Sequence, residues 1–334
     1  FAWLAARKVD PGLAEALGPA RVRVTAREMA AEGFRARLLD TLLDAGARPI
    51  VFKGLGVAHL VYPSPELRPL GDVDLLFEPG DAARAADALE RAGFVTHPDP
   101  VVREYFWQHG YNVPLAHPLH GLVEVHHAIY PDCPDAFLAE AFERLSPARV
   151  LGREVRALAD VDLFITLAVH YVSSVPGSHW VWLLDLWLLA RRFDVQAWCE
   201  LERTAARHGL SCFAAAAVAS FEPAFGVRVA PADDVDHPAN RLVAGLHRLE
   251  AVALARFVSR LERGSTSGDV LRVAHRLDGH PGRRRRGGAL AAIWSHPGAV
   301  CYELGVPFDP RAFWRLRLRH VARRVTRALG AVIR

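Results

Sequence analysis

The sequence predicts an α+β protein in which a small mixed β-sheet domain is followed by a mostly α-helical region. The first observation behind this prediction is that short β-rich runs alternate with helix-like segments up to about residue 134. The second is that apolar residues recur at helical spacing almost throughout the segments beyond residue 135. We therefore divide the chain into an N-terminal helical segment (1–48), an α/β core (49–134), a helical domain (135–282) and a basic helical tail (283–334).

Composition narrows the classes of protein to which the chain can belong. Hydrophobic residues make up 51% of the 334 residues and charged residues 23%, which is typical of a globular protein. None of the four cysteines forms a C-x-x-C pair, so neither a disulfide framework nor a thiolate zinc site is predicted. No apolar run reaches the roughly 18 residues that a membrane span requires. We therefore expect a cytoplasmic protein with no integral membrane association.

The elements of the first region follow from apolar spacing and turn residues. Apolar residues at helical spacing predict a helix over 26–45 that stops at Gly46. PIVFKG (49–54) is predicted as a short strand interrupted by Gly54 and Gly56, and LGVAHLVY (55–62) as a helix. The remaining predictions are a strand VDLLF (73–77), an amphipathic helix (81–94), and two strands, YNVPLAH (111–117) and GLVEVHHAIY (121–130).

The second region is predicted as a series of helices. Helical spacing covers DAFLAEAFERL (135–145), DLFITLAVHYV (162–172), WVWLLDLWLLARR (180–192), VQAWCELERTAARHG (195–209) and a segment from residue 239 to 264. The tail carries four consecutive arginines at 283–286 and a last amphipathic helix from Phe313. Its arginine-rich face suits a nucleic acid or an anionic membrane surface. Packing of its apolar stripe on the protein is the favoured interpretation.

The tripeptide Asp-Val-Asp occurs twice, and the two copies predict different structures. In LADVDLFI (158–165) the second copy opens a run with helical spacing. Asp160 there fits an N-cap, and Asp162 fits the first turn, where the helix dipole favours a negative charge. This copy is predicted to be a helix start rather than a binding site.

The first copy, in RPLGDVDLLF (68–77), lies at the start of a strand-length apolar run. Residues two apart on a strand point to the same face, so Asp72 and Asp74 project together. Taken alone, two solvated surface carboxylates are the more common outcome. Cations and a further carboxylate strengthen the metal-site interpretation: Lys53 within K-G-L-G, Arg68, and Glu124, which shares a strand face with His126. A pair of Mg²⁺ ions with a triphosphate is the usual occupant of such a carboxylate group.

These motifs resemble a known family. K-G-L-G at 53–56, R-P-L-G-D-V-D at 68–74, E-V-H-H at 124–127 and H-W-V-W-L-L-D-L at 179–186 are similar to the bacterial "uncharacterised nucleotidyltransferase" family. That family belongs to the DNA-polymerase-β-like nucleotidyltransferase superfamily. The resemblance covers roughly Pro49 to Leu210 and implies a polymerase-β-like nucleotidyltransferase fold for the mixed β-sheet domain. One departure is that this chain has Lys53-Gly54 where the superfamily usually has Gly-Ser or Gly-Gly.

The resemblance implies a mechanism and a set of ligands. Asp72, Asp74 and Glu124 would be the catalytic, metal-binding carboxylates for two Mg²⁺ ions, with Mn²⁺ as an alternative. NTP, with ATP as the expected donor, would be held by the cations and glycine amides at Lys53, Gly54, Gly56 and Arg68. An NMP unit would pass to a hydroxyl or phosphate acceptor on a small molecule, peptide or protein, with RNA less favoured, and pyrophosphate would leave.

Several polar residues retain two interpretations. His126 is expected beside the metal site, or as a strand-surface histidine. His170, Trp182 and Asp185 are expected either to contact the nucleotide or acceptor, or to serve core and capping roles. The histidines between 109 and 127 match no common zinc spacing, and no G-x-S-x-G motif supports a serine hydrolase.

Two hypotheses therefore come from different functional classes. The chain is either an active nucleotidyltransferase or a catalytically silent nucleotide- or RNA-binding module that acts with a partner. The intact set of three carboxylates favours the first, because a cluster of like charges is costly to retain without a ligand.

Overall fold

The structure, a computed structural model, describes residues 11–118, 121–130, 133–173, 180–231, 233–245, 301–302, 306 and 308–309. The chain forms two compact units that interleave along the sequence. The first unit combines the described residues up to Thr96 with those of Val113–His127 and Leu145–Leu158. The described remainder forms the second unit. The tetra-arginine segment and the helix predicted from Phe313 lie outside the described residues. The predicted boundaries at residues 48, 134 and 282 stay a prediction.

The first unit is built around a mixed sheet. Its helices are α1 (Pro11–Asp44), α2 (Lys53–Leu60), a short 3-10 helix (Pro65–Leu67) and α3 (Asp81–Arg91). Its strands are β1 (Ile50–Val51), β2 (Asp72–Leu76), β3 (Asn112–His117), β4 (Gly121–His126), β5 (Ser146–Val150) and β6 (Arg153–Ala157). The described strands form a six-stranded sheet in the order β3-β4-β2-β1-β6-β5. This confirms the predicted mixed α/β core.

Strand β2 lies at the centre of the sheet and is buried for most of its length. It pairs with β1 in antiparallel and with β4 in parallel orientation. Leu75, Leu76 and the following Phe77 are completely buried, which explains why this run is apolar without alternation. Only Asp72, at the start of the strand, is exposed. Asp74 therefore lies in the core, whereas Asp72 lies at the accessible end of the strand.

The region around the K-G-L-G motif matches its prediction in part: the helix predicted over 55–62 is present, but it begins two residues earlier. Strand β1 ends at Val51, and helix α2 already begins at Lys53, so Gly54 and Gly56 lie inside a helix rather than in an irregular strand end. The Gly56 N–H donates to the Phe52 carbonyl oxygen at 3.2 Å within this helix. A Cβ on Gly56 would lie 3.1 Å from the backbone carbon of Val51. Gly56 thus leaves room for the close approach of α2 to β1.

The hairpin formed by β5 and β6 was not predicted from the sequence. The two strands pair in antiparallel orientation around a two-residue loop, Leu151-Gly152, in which both residues have positive φ (51° and 79°). Such a loop usually carries Asn or Asp at its first position, and because Leu151 stands there the sequence does not indicate a turn. Strand β6 then pairs in parallel with β1, so this segment of the predicted helical region belongs to the sheet.

The second unit is predominantly helical, as predicted. Its helices are α4 (Pro100–His109), α5 (Asp135–Glu143), α6 (Asp160–Ser173), α7 (Trp180–Ala190), α8 (Val195–Arg207), α9 (Ser211–Ala219) and α10 (Phe221–Phe225). Asp99 caps α4 by accepting from the Val101 N–H at 2.9 Å, and Asp194 caps α8 by accepting from the Ala197 N–H at 2.8 Å. Helix α6 packs against α7, α8 and α9, and Trp198 of α8 is buried beside Phe164 of α6.

The second Asp-Val-Asp copy begins α6, which confirms the predicted helix start. Asp162 is more buried and makes stronger interactions than its predicted first-turn position implies. Its side chain is completely buried, and Arg144 donates to both carboxylate oxygens, from Nε at 3.0 Å and from Nη2 at 2.6 Å. Asp160 forms an exposed ion pair with Arg192 at 3.1 Å. Asp162 is therefore a buried structural carboxylate.

Among the described residues, no helix has both the length and the apolar character that crossing a bilayer requires.

Candidate functional site

The candidate site lies in the first unit, where strands β2 and β4 run side by side. Their register places Asp74 directly beside Glu124, and Leu76 beside His126. Because side chains alternate along a strand, Asp72 and Asp74 share one face of β2, and Glu124 and His126 share one face of β4. Parallel pairing in this register makes these two faces one surface. The sequence predicted each pair of residues, and the sheet brings the two pairs together.

Asp74, Glu124 and His126 form the core of the site. Nε2 of His126 is 2.9 Å from Oδ1 of Asp74 and 3.2 Å from Oε2 of Glu124. The three potential ligand atoms all lie within 4.8 Å of one another. Asp74 and His126 are buried, whereas the Glu124 side chain retains 20% of its accessible surface. This arrangement offers two oxygen donors and one nitrogen donor on a single surface.

Lys53 supplies a positive charge inside this cluster. Its Nζ donates to Oδ1 of Asp74 at 3.0 Å and lies 3.4 Å from Nε2 of His126. Lys53 is buried and has a positive φ of 44° at the first position of α2. A non-glycine residue in this region is strained by about 1–3 kcal/mol, and such residues concentrate at functional sites. The sequence predicted Lys53 as a triphosphate ligand but did not predict its ion pair with Asp74.

Arg68 lies beside the start of α2 because Gly54 leaves room for it. A Cβ on Gly54 would lie 3.2 Å from Nη1 of Arg68 and 2.9 Å from Cδ2 of Leu70. The guanidinium is buried and donates from Nη1 to the Pro69 carbonyl oxygen at 3.1 Å. The first-turn amides of a helix have no partner within that helix, and the first residue of α2 is Lys53, whose Nζ contacts Asp74. Gly54 is therefore compatible with its predicted phosphate-binding role, whereas the Gly56 amide is already engaged.

The charges of the cluster shift the pKa values of its two aspartates in opposite directions. Burial raises the pKa of Asp74, but the charge of Lys53 and the hydrogen bond from His126 outweigh it and hold this pKa well below its usual value. Although Asp72 lies at the exposed start of β2, partial burial of its carboxylate raises its pKa, and the charges of Asp74 and Glu124 raise it further. The charges of Lys53 and Arg68 act in the opposite sense on Asp72. Asp74 is thus held as an anion at neutral pH.

The donor set of the cluster fits a divalent cation. Carboxylate oxygens suit Mg²⁺ and Mn²⁺, and an imidazole nitrogen suits Mn²⁺ and other transition metals. Asp74 and Glu124 were predicted ligands, whereas His126 was expected only beside the metal. Asp72 was also a predicted ligand, but it is not part of the group whose ligand atoms lie within 4.8 Å of one another. Within the described residues, this group is the one assembly of three such side chains that the structure shows.

The three residues predicted further along the chain lie in the second unit. The rings of His170 on α6 and Trp182 on α7 are 4.1 Å apart between centroids, at an angle of 57°. Asp185 is completely buried on α7. Their predicted contacts with nucleotide or acceptor stay predictions.

The chain belongs to a family described as "Uncharacterised nucleotidyltransferase", whose pattern it matches over residues 4–226. This match spans both units and includes every residue of the cluster. The family assignment identifies the chain as a nucleotidyltransferase-family protein and confirms the resemblance seen in the sequence motifs. No curated protein and no solved structure shows significant similarity to the chain.

Proposed function

We propose that the protein is a divalent-metal-dependent nucleotidyltransferase that transfers an NMP unit from an NTP, with ATP as the expected donor. The acceptor is a hydroxyl or phosphate group on a small molecule, peptide or protein, and pyrophosphate is released. The observation that carries the proposal is the cluster of Asp74, Glu124, His126 and Lys53 on adjacent strands in a chain of nucleotidyltransferase ancestry.

Some residues of the cluster would bind the cation, and others would bind the anionic triphosphate. Asp74 and Glu124 would hold the metal, and Asp72 would extend the negative surface at the open end of β2. Bound there, a divalent ion neutralises phosphate charge and polarises the oxygens of the transferred group. Lys53, Arg68 and the amide of Gly54 would bind the triphosphate, because their positive charges and N–H donors match phosphate oxygens.

The transfer itself is an in-line displacement at the α-phosphorus. The acceptor oxygen forms a new P–O bond as the bond between the α-phosphorus and the bridging oxygen breaks, and pyrophosphate leaves with the electron pair. Where the acceptor is a hydroxyl, its proton passes to a carboxylate. Glu124 is suited to this role, because its side chain is more exposed than that of Asp74 (20% against 9%) and can meet an incoming acceptor.

Ligand-dependent stability tests the proposal without knowledge of the acceptor. Thermal unfolding is recorded with ATP, GTP, CTP and UTP, with and without Mg²⁺ or Mn²⁺. Ligand at about 100 times its dissociation constant stabilises the native state by about 2.7 kcal/mol, which raises the melting temperature by several degrees. Asp74→Asn and Glu124→Gln should lose the metal-dependent part of this shift. Asp160→Asn, in the matching tripeptide of α6, should retain it.

One observation favours a second candidate, a catalytically silent nucleotide- or RNA-binding module. Lys53 already neutralises Asp74 through a buried ion pair at 3.0 Å, so the cluster has an internal cation without any metal. A nucleotide-dependent shift that is independent of divalent ions and unchanged in Glu124→Gln would support this candidate. The absence of any nucleotide shift would contradict the enzyme proposal.

A further inference from the structure

We propose that His126 is a direct ligand of the divalent ion, and that this nitrogen donor makes the site bind Mn²⁺ in preference to Mg²⁺. The inference rests on the proposed function, because it concerns the ion used by the same site. It goes further in assigning one ligand and in naming the preferred metal.

The distances around His126 match those between neighbouring ligands of one ion. Ligands about 2.1 Å from an octahedral ion lie about 3.0 Å apart when they are adjacent, from the ion–ligand distances that Mg²⁺ requires. Nε2 of His126 lies 2.9 Å from Oδ1 of Asp74 and 3.2 Å from Oε2 of Glu124. An ion that binds both carboxylates would therefore have this nitrogen within ligand distance, and would take the place of the proton that Nε2 donates to Asp74.

The packing of His126 holds its nitrogen in this position. The residue is completely buried, and its ring meets the Phe52 ring edge-on, with centroids 5.0 Å apart and an angle of 83°. Its backbone is fixed at the end of β4, where its carbonyl oxygen accepts from the Phe77 N–H at 3.0 Å. Ring and backbone are thus both positioned by the core, so Nε2 remains directed at the two carboxylates.

The chemistry of the donors selects between the two metals. Mg²⁺ favours oxygen ligands and loses its water reluctantly, whereas imidazole is a good ligand for transition metals. Mn²⁺ accepts carboxylate oxygens as readily as Mg²⁺ does and binds an imidazole nitrogen as well.

Electron paramagnetic resonance of the full chain with Mn²⁺ tests the ligand directly. After chelator treatment, Mn²⁺ is added with and without ATP, and the loss of the free-ion signal gives the affinity. Pulsed measurements should show the ¹⁴N coupling of a directly bound imidazole. Mg²⁺ should displace the bound Mn²⁺ only at concentrations well above those of Mn²⁺. His126→Gln should remove the coupling and weaken Mn²⁺ binding by about tenfold or more, since even outer-shell partners of metal ligands contribute that much.

His127→Gln is the matched control, because His127 follows directly in the chain, just beyond the end of β4, and is not part of the three-residue group. It should retain both the coupling and the affinity. Wild-type protein carrying ¹⁵N-histidine gives the same answer without a substitution, since the ¹⁴N signal should then change to that of ¹⁵N. If that signal is insensitive to the label, the inference is wrong.

The outcomes also separate this inference from the proposed function. Bound Mn²⁺ without histidine coupling, together with nucleotide binding that still requires a divalent ion and Asp74, would overturn the role of His126 alone. Failure of both Mn²⁺ and Mg²⁺ to bind, with or without ATP, would overturn both proposals. Equal affinities for the two metals would overturn the selectivity.

Discussion

Replacing Asp162 with asparagine should destabilise the second unit far more than its position in the first turn of α6 suggests. The substitution conserves volume, so it removes charge without opening a cavity. Asp162 is completely buried, and Arg144 donates to both of its oxygens, at 2.6 and 3.0 Å. The Arg144 guanidinium stays charged after its partner is lost, because an arginine side chain is not deprotonated in proteins.

The expected loss of stability depends on which charge each substitution leaves without its partner. Removing one partner of a buried ion pair costs about 3–5 kcal/mol, because the remaining charge is stranded. In Asp162→Asn the remaining charge is on Arg144, whose side chain is 28% exposed and still contacts Glu140 at 3.2 Å. Water and Glu140 offset part of the loss, so we expect about 3 kcal/mol, the lower end of this range. Arg144→Met strands a carboxylate that is completely buried, and should cost about 4–5 kcal/mol.

Urea unfolding followed by tryptophan fluorescence measures this loss. Trp198, one of eight tryptophans, is buried with its ring centroid 6.0 Å from that of Phe164 on α6, so the change in total emission includes a contribution from the affected helix. At a slope of about 3 kcal/mol/M, a loss of about 3 kcal/mol lowers the midpoint by about 1 M urea. Asp160→Asn is the control, because its ion pair with Arg192 is exposed and should contribute less than about 1 kcal/mol. Equal midpoints for Asp162→Asn and Asp160→Asn would refute the reasoning.

Three further predictions concern packing, thiol reactivity and pH. Gly56→Ala should destabilise the protein by about 1–3 kcal/mol, because the added methyl group crowds the backbone of β1. Gly33→Ala in α1 should stabilise the protein by about 0.5–1 kcal/mol, because its nearest neighbour is 3.7 Å away. Urea unfolding measures both changes. Burial raises the pKa of the Cys133 thiol to about 12, so iodoacetamide at pH 8 should label the half-buried Cys199 long before Cys133, as measured by peptide mass spectrometry. Slight burial raises the pKa of Asp99, but backbone N–H donors outweigh it and hold this pKa below its usual value. The stability that Asp99 contributes is therefore present above the ordinary carboxyl pKa of about 3.9 and is lost as the pH falls through the lower native pKa. In Asp99→Asn, the free energy of unfolding measured with urea should therefore depend less on pH on the acid side.

Each of these predictions has a result that contradicts it. A stabilising Gly56→Ala would show that α2 can move away from β1. Labelling of native Cys133 as fast as Cys199 would show that its thiol is not buried. An acid-side slope that is unchanged in Asp99→Asn would show that the cap of α4 does not titrate with folding.

Local patterns in the sequence were sufficient for the parts of the site that depend on alternation along one strand. Strand β2 was predicted from its apolar run, and the pairing of Asp72 with Asp74 on one face follows from a period of two residues. Glu124 and His126 were paired by the same rule. The order of the K-G, D-x-D and E-x-H motifs was enough to predict the family, which the match over residues 4–226 confirms.

Predictions from local sequence were wrong where a residue occupies a position at which another residue type is usual. Glycines normally interrupt regular structure, so the helix predicted over 55–62 was started two residues too late; Gly54 instead lies close to Arg68 and Leu70, and Gly56 close to β1. The hairpin of β5 and β6 was missed because Leu151 occupies a turn position that usually carries Asn or Asp.

By itself, the sequence determined which carboxylates share a strand face and which tripeptide begins a helix. Only the tertiary structure decided which faces meet, because strand pairing joins residues about fifty positions apart and leaves no periodic trace in the chain. It placed Asp74 beside Glu124, directed Lys53 and His126 at the same oxygen atom, and gave Asp162 its partner Arg144. Two identical Asp-Val-Asp tripeptides thus have different surroundings, because one begins a strand of the sheet and the other begins a helix.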